Sequence, residues 1–309
     1  MDRALAPLSN EALVVVAVGG NALLRRGDPV AASIERANAL EAARHLAVIG
    51  LGHRLVVTHG NGPQVGLLAL ESAASGHPET FDVLDAESQG QVGYLLEIEL
   101  ANHLGDRSVC TLLTQVRVDA DDPAFSRPTK PIGPAYDEVT ARGLAGSGGW
   151  RIGRDGSGWR RLIASPEPLE VMQLRSIELL SRAGVVVICA GGGGIPVVVA
   201  DDGRRRGVEA VIDKDLTSAL LAVALDADRL VLLTDVAAVE ADWGTPEARA
   251  MTEASVEELR SMTFAPGTMA PKVEAACRFA SATGRPAVIG ALEEAERVIN
   301  GAAGTRVRP

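Results

Sequence analysis

Short uninterrupted apolar runs, not alternating ones, punctuate this chain at residues 14–18, 55–58, 185–190 and 230–234. A continuous run of that length suits a strand covered on both faces, as in a parallel sheet flanked by helices. Helical periods lie between the runs. Residues 34–49 read as a helix with Ala37, Leu40, Ala43 and Ala47 near one face, and residues 64–73 form another behind Pro63, a residue tolerated in a first helical turn. Residues 87–104, 168–183, 215–225, 255–261 and 271–283 read as further helices, and 109–116 and 287–289 as β. The recurrence of strand, loop and helix predicts an α/β fold of parallel strands joined by right-handed crossovers.

Two departures from this rhythm carry information. Between about residues 119 and 165 the pattern breaks into prolines at 123, 128, 131 and 134 and glycine-rich stretches at 143–149 and 153–158, which predicts an inserted, lid-like excursion. Three apolar runs also end in glycine-rich turns: Gly19-Gly20-Asn21, Gly60-Asn61-Gly62 and Gly191 to Gly194. Turns without Cβ atoms let backbone N–H groups approach an anion, and a following helix adds its positive dipole end. Three such turns at one sheet edge would surround a multiply charged ligand, which points to a phosphate-handling enzyme.

Composition narrows the field. The 309 residues suffice for one large domain or two closely joined lobes, and 47% apolar content with 33 glycines and 3% aromatics fits an α/β protein. The formal charge of −10 opposes nucleic acid or an anionic membrane as partner, because either needs clustered cations. Lysine is confined to Lys130, Lys214 and Lys272 while arginine supplies the other positive charge, which singles those three out. Cys110, Cys189 and Cys277 are widely spaced and read as buried thiols of a reducing, cytoplasmic compartment. The five histidines have no zinc-ligand spacing, and no run reaches signal-peptide or membrane-span character. The standard P-loop, the dinucleotide glycine fingerprint and the Gly-x-Ser-x-Gly elbow are all missing from the sequence.

Seven stretches resemble the amino-acid-kinase superfamily and, within it, the carbamate kinases: Val-Gly-Gly-Asn-Ala-Leu-Leu (18–24), His-Gly-Asn-Gly-Pro-Gln-Val-Gly (59–66), Ala-Glu-Ser-Gln-Gly (86–90), Pro-Thr-Lys-Pro-Ile-Gly-Pro (128–134), Ile-Cys-Ala-Gly-Gly-Gly-Gly-Ile-Pro (188–196), Val-Glu-Ala-Val-Ile-Asp-Lys-Asp (208–215) and Pro271-Lys272. The resemblance spans nearly the whole chain, and the 128–134 stretch with the four-glycine run is its most specific part. It implies a three-layer αβα sandwich with a mainly parallel central sheet and an inserted lid-like subdomain. It also implies an amino-terminal lobe of about residues 1–207 for carbamate or carbamoyl phosphate and a carboxyl-terminal lobe of about 208–309 for the nucleotide. The implied reaction is magnesium-dependent phosphoryl transfer between ATP and carbamate, often run toward ATP in arginine metabolism, by a cytoplasmic homodimer. Carbamate is already an anion, so a general base is unnecessary and the site has chiefly to bring anions together.

By the same resemblance Lys214 stabilises the transferring phosphoryl group and bridges both substrates, Asp213 orients lysines, Lys130 reaches over the carbamate, and Lys272 lies on the nucleotide phosphates. Gly19, Gly20, Asn21, Gly60, Asn61 and Gly62 form the amide cradle. Asp235 lies near the nucleotide, and Met269 offers apolar contact to the base or simply packs. Magnesium travels with ATP or ADP, without a dedicated protein site. Read without the family, Lys130 is equally a solvated loop lysine and Lys272 a surface one. The chain departs from its relatives at Ala238 and Glu240, where they usually carry Asp or Gly and then Tyr, so an aromatic wall of the adenine pocket is expected to be missing. Two alternatives remain open: a kinase of the same superfamily acting on another acid or a nucleoside monophosphate, and a weakly catalytic nucleotide-binding regulator.

Overall fold

A computed structural model describes residues 11–20, 31–156, 158–264 and 269–309. Among them, eight strands form one sheet in the order Glu253–Ser255, Thr305–Arg308, Ala287–Ala291, Arg229–Thr234, Leu13–Val18, Arg54–His59, Val186–Cys189, Val109–Leu112. Every neighbouring pair is parallel except Ala287–Ala291 with Thr305–Arg308. The apolar runs are continuous because both faces of the central strands are covered. Val15, Ala17, Val56, Leu230 and Leu232 face one hydrophobic core, while Val14, Val16, Val18, Val57, Val231 and Leu233 face the other. Helices Lys214–Ala224 and Met269–Thr283 contribute to the first core, and helices Ala32–Gly52 and Phe81–Leu104 to the second. This is the three-layer αβα sandwich expected from the sequence.

Several expectations need correction in detail. In helix Ala32–Gly52 the inward positions are Ala39, Ala42, Ala43, Leu46, Ala47 and Ile49, so Ala43 and Ala47 face the core as expected, whereas Ala37 is exposed and Leu40 only half-buried. Alanines occur at several phases of this helix, so apolar period alone mislocates its buried face. The 109–116 run divides: Val109–Leu112 joins the main sheet, and Gln115–Arg117 joins a second, four-stranded sheet with Arg205–Gly207, Ile195–Val199 and Glu170–Val171. That pairing, with Val116 opposite Val171, removes residues 170–171 from the expected helix, which runs only over Leu174–Arg182.

Residues 119–165 are also more regular than their prolines and glycines suggest. Strands Lys130–Tyr136, Gly158–Ile163 and Arg151–Asp155 form a small antiparallel sheet, and the glycine-rich 143–148 stretch lies in helix Glu138–Gly148. Asp137 starts that helix by accepting a hydrogen bond from the Thr140 N–H at 2.9 Å, and the cap offsets the low helix propensity of the glycines behind it. The small sheet is anchored to the body by Arg161, whose guanidinium lies 4.7 Å from the ring centroids of both Phe81 and Trp150.

Candidate active site

Strands Leu13–Val18, Arg54–His59 and Val186–Cys189 are adjacent and parallel, so the three glycine turns that follow them emerge side by side at the carboxyl edge of the sheet. Ligands of open α/β sheets bind at that edge. The turns are pressed together tightly enough to demand glycine. A Cβ on Gly60 would lie 2.7 Å from the Gly20 nitrogen, and one on Gly192, whose φ is +69°, would lie 2.3 Å from Asn61 Nδ2. The Asn61 amide in turn donates to Ser88 Oγ at 2.7 Å and to Asp85 Oδ1 at 3.2 Å, which fixes the second turn against helix Phe81–Leu104. Burial pushes the Asp85 carboxyl well above the ordinary range, more strongly than the Asn61 hydrogen bond lowers it. His59, also buried, has its pKa lowered to about 4 by desolvation, so it is a neutral, space-filling member of the turn at physiological pH.

These turns form one wall of a cleft of about 260 Å³ that is also lined by Lys130, Asp213, Lys214, Asp215, Asp235 and Lys272. The three lysines come from segments far apart in sequence: the first residue of strand Lys130–Tyr136, the start of helix Lys214–Ala224, and the early part of helix Met269–Thr283. Lys214 Nζ donates to Asp215 Oδ1 at 2.5 Å and Lys272 Nζ to Asp215 Oδ2 at 2.9 Å, so one buried carboxylate joins two ammonium groups. Burial opposes the charge on Asp215, but the two lysines overcome it and hold the carboxyl down at about 2. Desolvation lowers Lys214, partly countered by Asp215. Lys272 is raised, because Asp215, with support from Asp213 and Asp235, outweighs its burial.

Asp213 has a different task. Its Oδ1 caps helix Lys214–Ala224 by accepting the N–H groups of Asp215 at 2.9 Å and Leu216 at 3.3 Å. Its Oδ2 lies 3.5 Å from Lys130 Nζ, which donates at 2.8 Å to the Ile212 carbonyl. The carboxylate that joins Lys214 to Lys272 is thus Asp215, which sequence reasoning noted only as a flank of Lys214. The Asp-Lys-Asp triplet was visible; which acid turns inward depends on the helix start and could not be read from spacing. Asp85 and Ser88 were likewise missed as supports of Asn61, though they lie in or beside the 86–90 motif. Asn21 lies outside the described residues.

Met269 lies apart from this cleft. With Val236, Ala238, Glu240, Trp243 and Phe264 it lines a second, less polar cavity of about 430 Å³, which lies next to Asp235 in sequence. Among the described residues no group of three or more His, Cys, Asp or Glu side chains is arranged to hold a metal ion, and no helix is long and apolar enough to cross a membrane. The cleft presents lysine charge and glycine-loop amides to an anionic ligand, beside the carboxylates of Asp213, Asp215 and Asp235.

The sequence model of the amino acid kinase family matches residues 12–291. The chain is similar to carbamate kinase from Haemophilus influenzae, at 48% identity over 297 residues, covering 95% of this chain and 96% of that protein. Its structure resembles that of carbamate kinase from Giardia lamblia bound to citric acid, with a TM-score of 0.92 and 37% identity, covering 97% of this chain and 99% of the other. The same enzyme bound to AMP-PNP gives a TM-score of 0.89 at 37% identity, with coverage of 97% and 99%. Full-length similarity at this level, on a fold whose sheet edge gathers the three lysines, establishes that the chain belongs to the amino acid kinase family and, within it, to the carbamate kinases.

Proposed function

We propose that the cleft catalyses reversible phosphoryl transfer between ATP and carbamate, giving ADP and carbamoyl phosphate, with Lys130, Lys214 and Lys272 as its principal charges. The observation that carries the reading is the convergence of all three lysines of the chain on one glycine-walled cleft. The reaction needs little covalent chemistry from the protein: the carbamate oxygen is the nucleophile, the γ-phosphorus is attacked, and the bond to the ADP oxygen breaks. Lys214, lining the cleft and held by Asp215, balances charge on the phosphoryl group in transit. Lys272, on the same carboxylate, holds the nucleotide phosphates, and Lys130 closes on the carbamate side. Amides of Gly19, Gly20, Gly60 and Gly62 complete the cradle, while His59, neutral and buried, takes no part in proton transfer.

Asp213 and Asp235 line the same cleft and fit a magnesium ion carried mainly by nucleotide phosphates, because magnesium typically takes one or two carboxylates plus substrate oxygens. When bound, the ion neutralises phosphate charge. The 430 Å³ cavity suits the base, with Met269 and Phe264 as apolar contacts and Trp243 as an aromatic one. We assign residues of about 1–207 to the carbamate side, residues of about 208–309 to the nucleotide side, and the small sheet carrying Lys130 to a lid. We further assign the enzyme to the cytoplasm, in the direction of ATP formation within arginine metabolism, as a homodimer. Three free cysteines suit a reducing compartment, and the sheet edge at Val109–Leu112, followed by exposed Leu113, suits a self-association surface.

Incubating the protein with MgATP, ammonium and bicarbonate, which equilibrate with carbamate, and following the products by phosphorus NMR tests the reaction directly. Carbamoyl phosphate and ADP are expected to appear together. ATP hydrolysis to inorganic phosphate without a carbamoyl phosphate signal at early times contradicts the assignment.

A further inference from the structure

The opposite, amino-terminal edge of the same sheet holds a cleft of about 830 Å³, separate from the phosphoryl-transfer site. It opens where strands Leu13–Val18, Arg54–His59 and Arg229–Thr234 begin, and helix Leu174–Arg182 supplies part of its wall. Its lining is mostly charged, with both signs present, and most of these charges are already satisfied. Arg285 pairs with Asp226 at 2.8 Å and Arg182 with Glu178 at 2.6 Å, while Asp228 Oδ2 accepts the Leu13 N–H at 2.7 Å.

Three groups are not. Arg54 Nε, Glu11 Oε2 and Ser181 Oγ are buried atoms without a hydrogen-bond partner, and all three residues line this cleft. Ser181 as a whole is 2% exposed. Leaving a buried polar group unsatisfied is costly, so three together at one cavity wall point to a ligand that supplies the missing partners. The lining charges without an ion-pair partner in the cleft are one cation, Arg54, and two anions, Glu11 and Asp228, of which Glu11 also feels the Arg107 guanidinium. A polyanion such as a nucleotide would meet the four carboxylates of Glu11, Glu178, Asp226 and Asp228. A metal ion has no suitable group of three acidic, His or Cys ligands among the described residues.

We propose that this cleft binds a small zwitterion of the free α-amino acid class, its carboxylate on Arg54 with help from the Ser181 hydroxyl, and its ammonium on Glu11. Arg54 opens the strand that ends at His59, so bound ligand lies about 17 Å of strand away from the phosphoryl-transfer cleft. The site is thus distinct from the substrate subsites.

The test is calorimetric titration of the full chain with each of the twenty common α-amino acids at concentrations up to about 10 mM. The N-acetyl and carboxamide forms of any binder, which lack the cation or the anion, are titrated as controls. Expected is one-to-one binding of at least one amino acid, at least roughly tenfold weaker for both derivatives and for the Arg54→Gln and Ser181→Ala variants, as loss of a charge-assisted hydrogen bond implies. ADP affinity and turnover of both variants should remain at wild-type values, which also shows that they fold. Absence of binding by every amino acid overturns the proposal. So does binding that survives both substitutions, or that is equally strong for the N-acetyl form.

Discussion

Asp215 decides how the lysines behave. A buried carboxylate shared by Lys214 and Lys272 keeps both ammonium groups pointed into a space that, without it, would repel them from each other. Replacing Lys214 by Ala is expected to lower turnover by about 10² or more, the effect of removing one preorganised charge from a water-poor site, with ADP affinity falling much less. Near-normal turnover would refute its assigned role. His59 makes a separate prediction about stability. Its native pKa of about 4 lies below the ordinary 6.5, so between those values the unfolded chain binds more protons. Its contribution, on the order of 3 kcal/mol, is fully present above pH 6.5 and is lost as the pH falls toward 4. Asp215, at about 2 against 3.8, adds a second loss below pH 3.8. The urea midpoint of wild type should therefore drop between pH 7 and 4.5 more than that of His59→Gln; parallel slopes would contradict this. At this scale the sequence reveals the lysines through their scarcity and the glycines through their turns, but Asp215 and Asp85 become distinguishable from other acids only once the helix starts are folded.

The elements carry those side chains to one place with unequal legibility. The central strands were easy to read because both faces are buried, so the run of Val, Leu and Ala is unbroken. The small sheet bearing Lys130 was not, because its prolines and glycines resemble loop and its regularity depends on the Asp137 cap and on Arg161 between two rings. If this sheet acts as a lid over the carbamoyl group, Lys130→Ala will raise the KM for carbamoyl phosphate by about tenfold or more while leaving the ADP dissociation constant within about twofold, since the lost charge meets only one substrate. Equal loss of both affinities would contradict the lid assignment. The hairpin of Val239–Ala241 with Arg249–Met251 is the complementary case on the side proposed for the nucleotide. Glu240 lines the cavity proposed for the base, together with Trp243 and Phe264. Glu240→Tyr should tighten ADP by roughly threefold to tenfold through added ring contact and lost charge. Unchanged or weaker ADP binding would show that the aromatic wall is already complete.

At the scale of the whole molecule, one mainly parallel sheet separates two clefts by its two edges: glycine turns and lysines at the carboxyl ends of the strands, and a mixed-charge cleft at their amino ends. The αβα architecture was readable from the strand and helix rhythm. The second cleft was not, because Glu11, Arg54 and Ser181 belong to no motif and meet only through topology. Light scattering should return twice the 32.1 kDa chain mass if the Val109–Leu112 edge pairs with a second copy; a single-chain mass at micromolar concentration would exclude that arrangement. The central claim is that the gathered lysines and glycine amides transfer a phosphoryl group between nucleotide and carbamate. Its most direct measurement is the initial rate of ATP formation from ADP with magnesium, comparing carbamoyl phosphate with acetyl phosphate as donor. Fast formation that strongly favours carbamoyl phosphate is the predicted result. No ATP from carbamoyl phosphate, or equal rates from both donors, by folded protein would contradict the account.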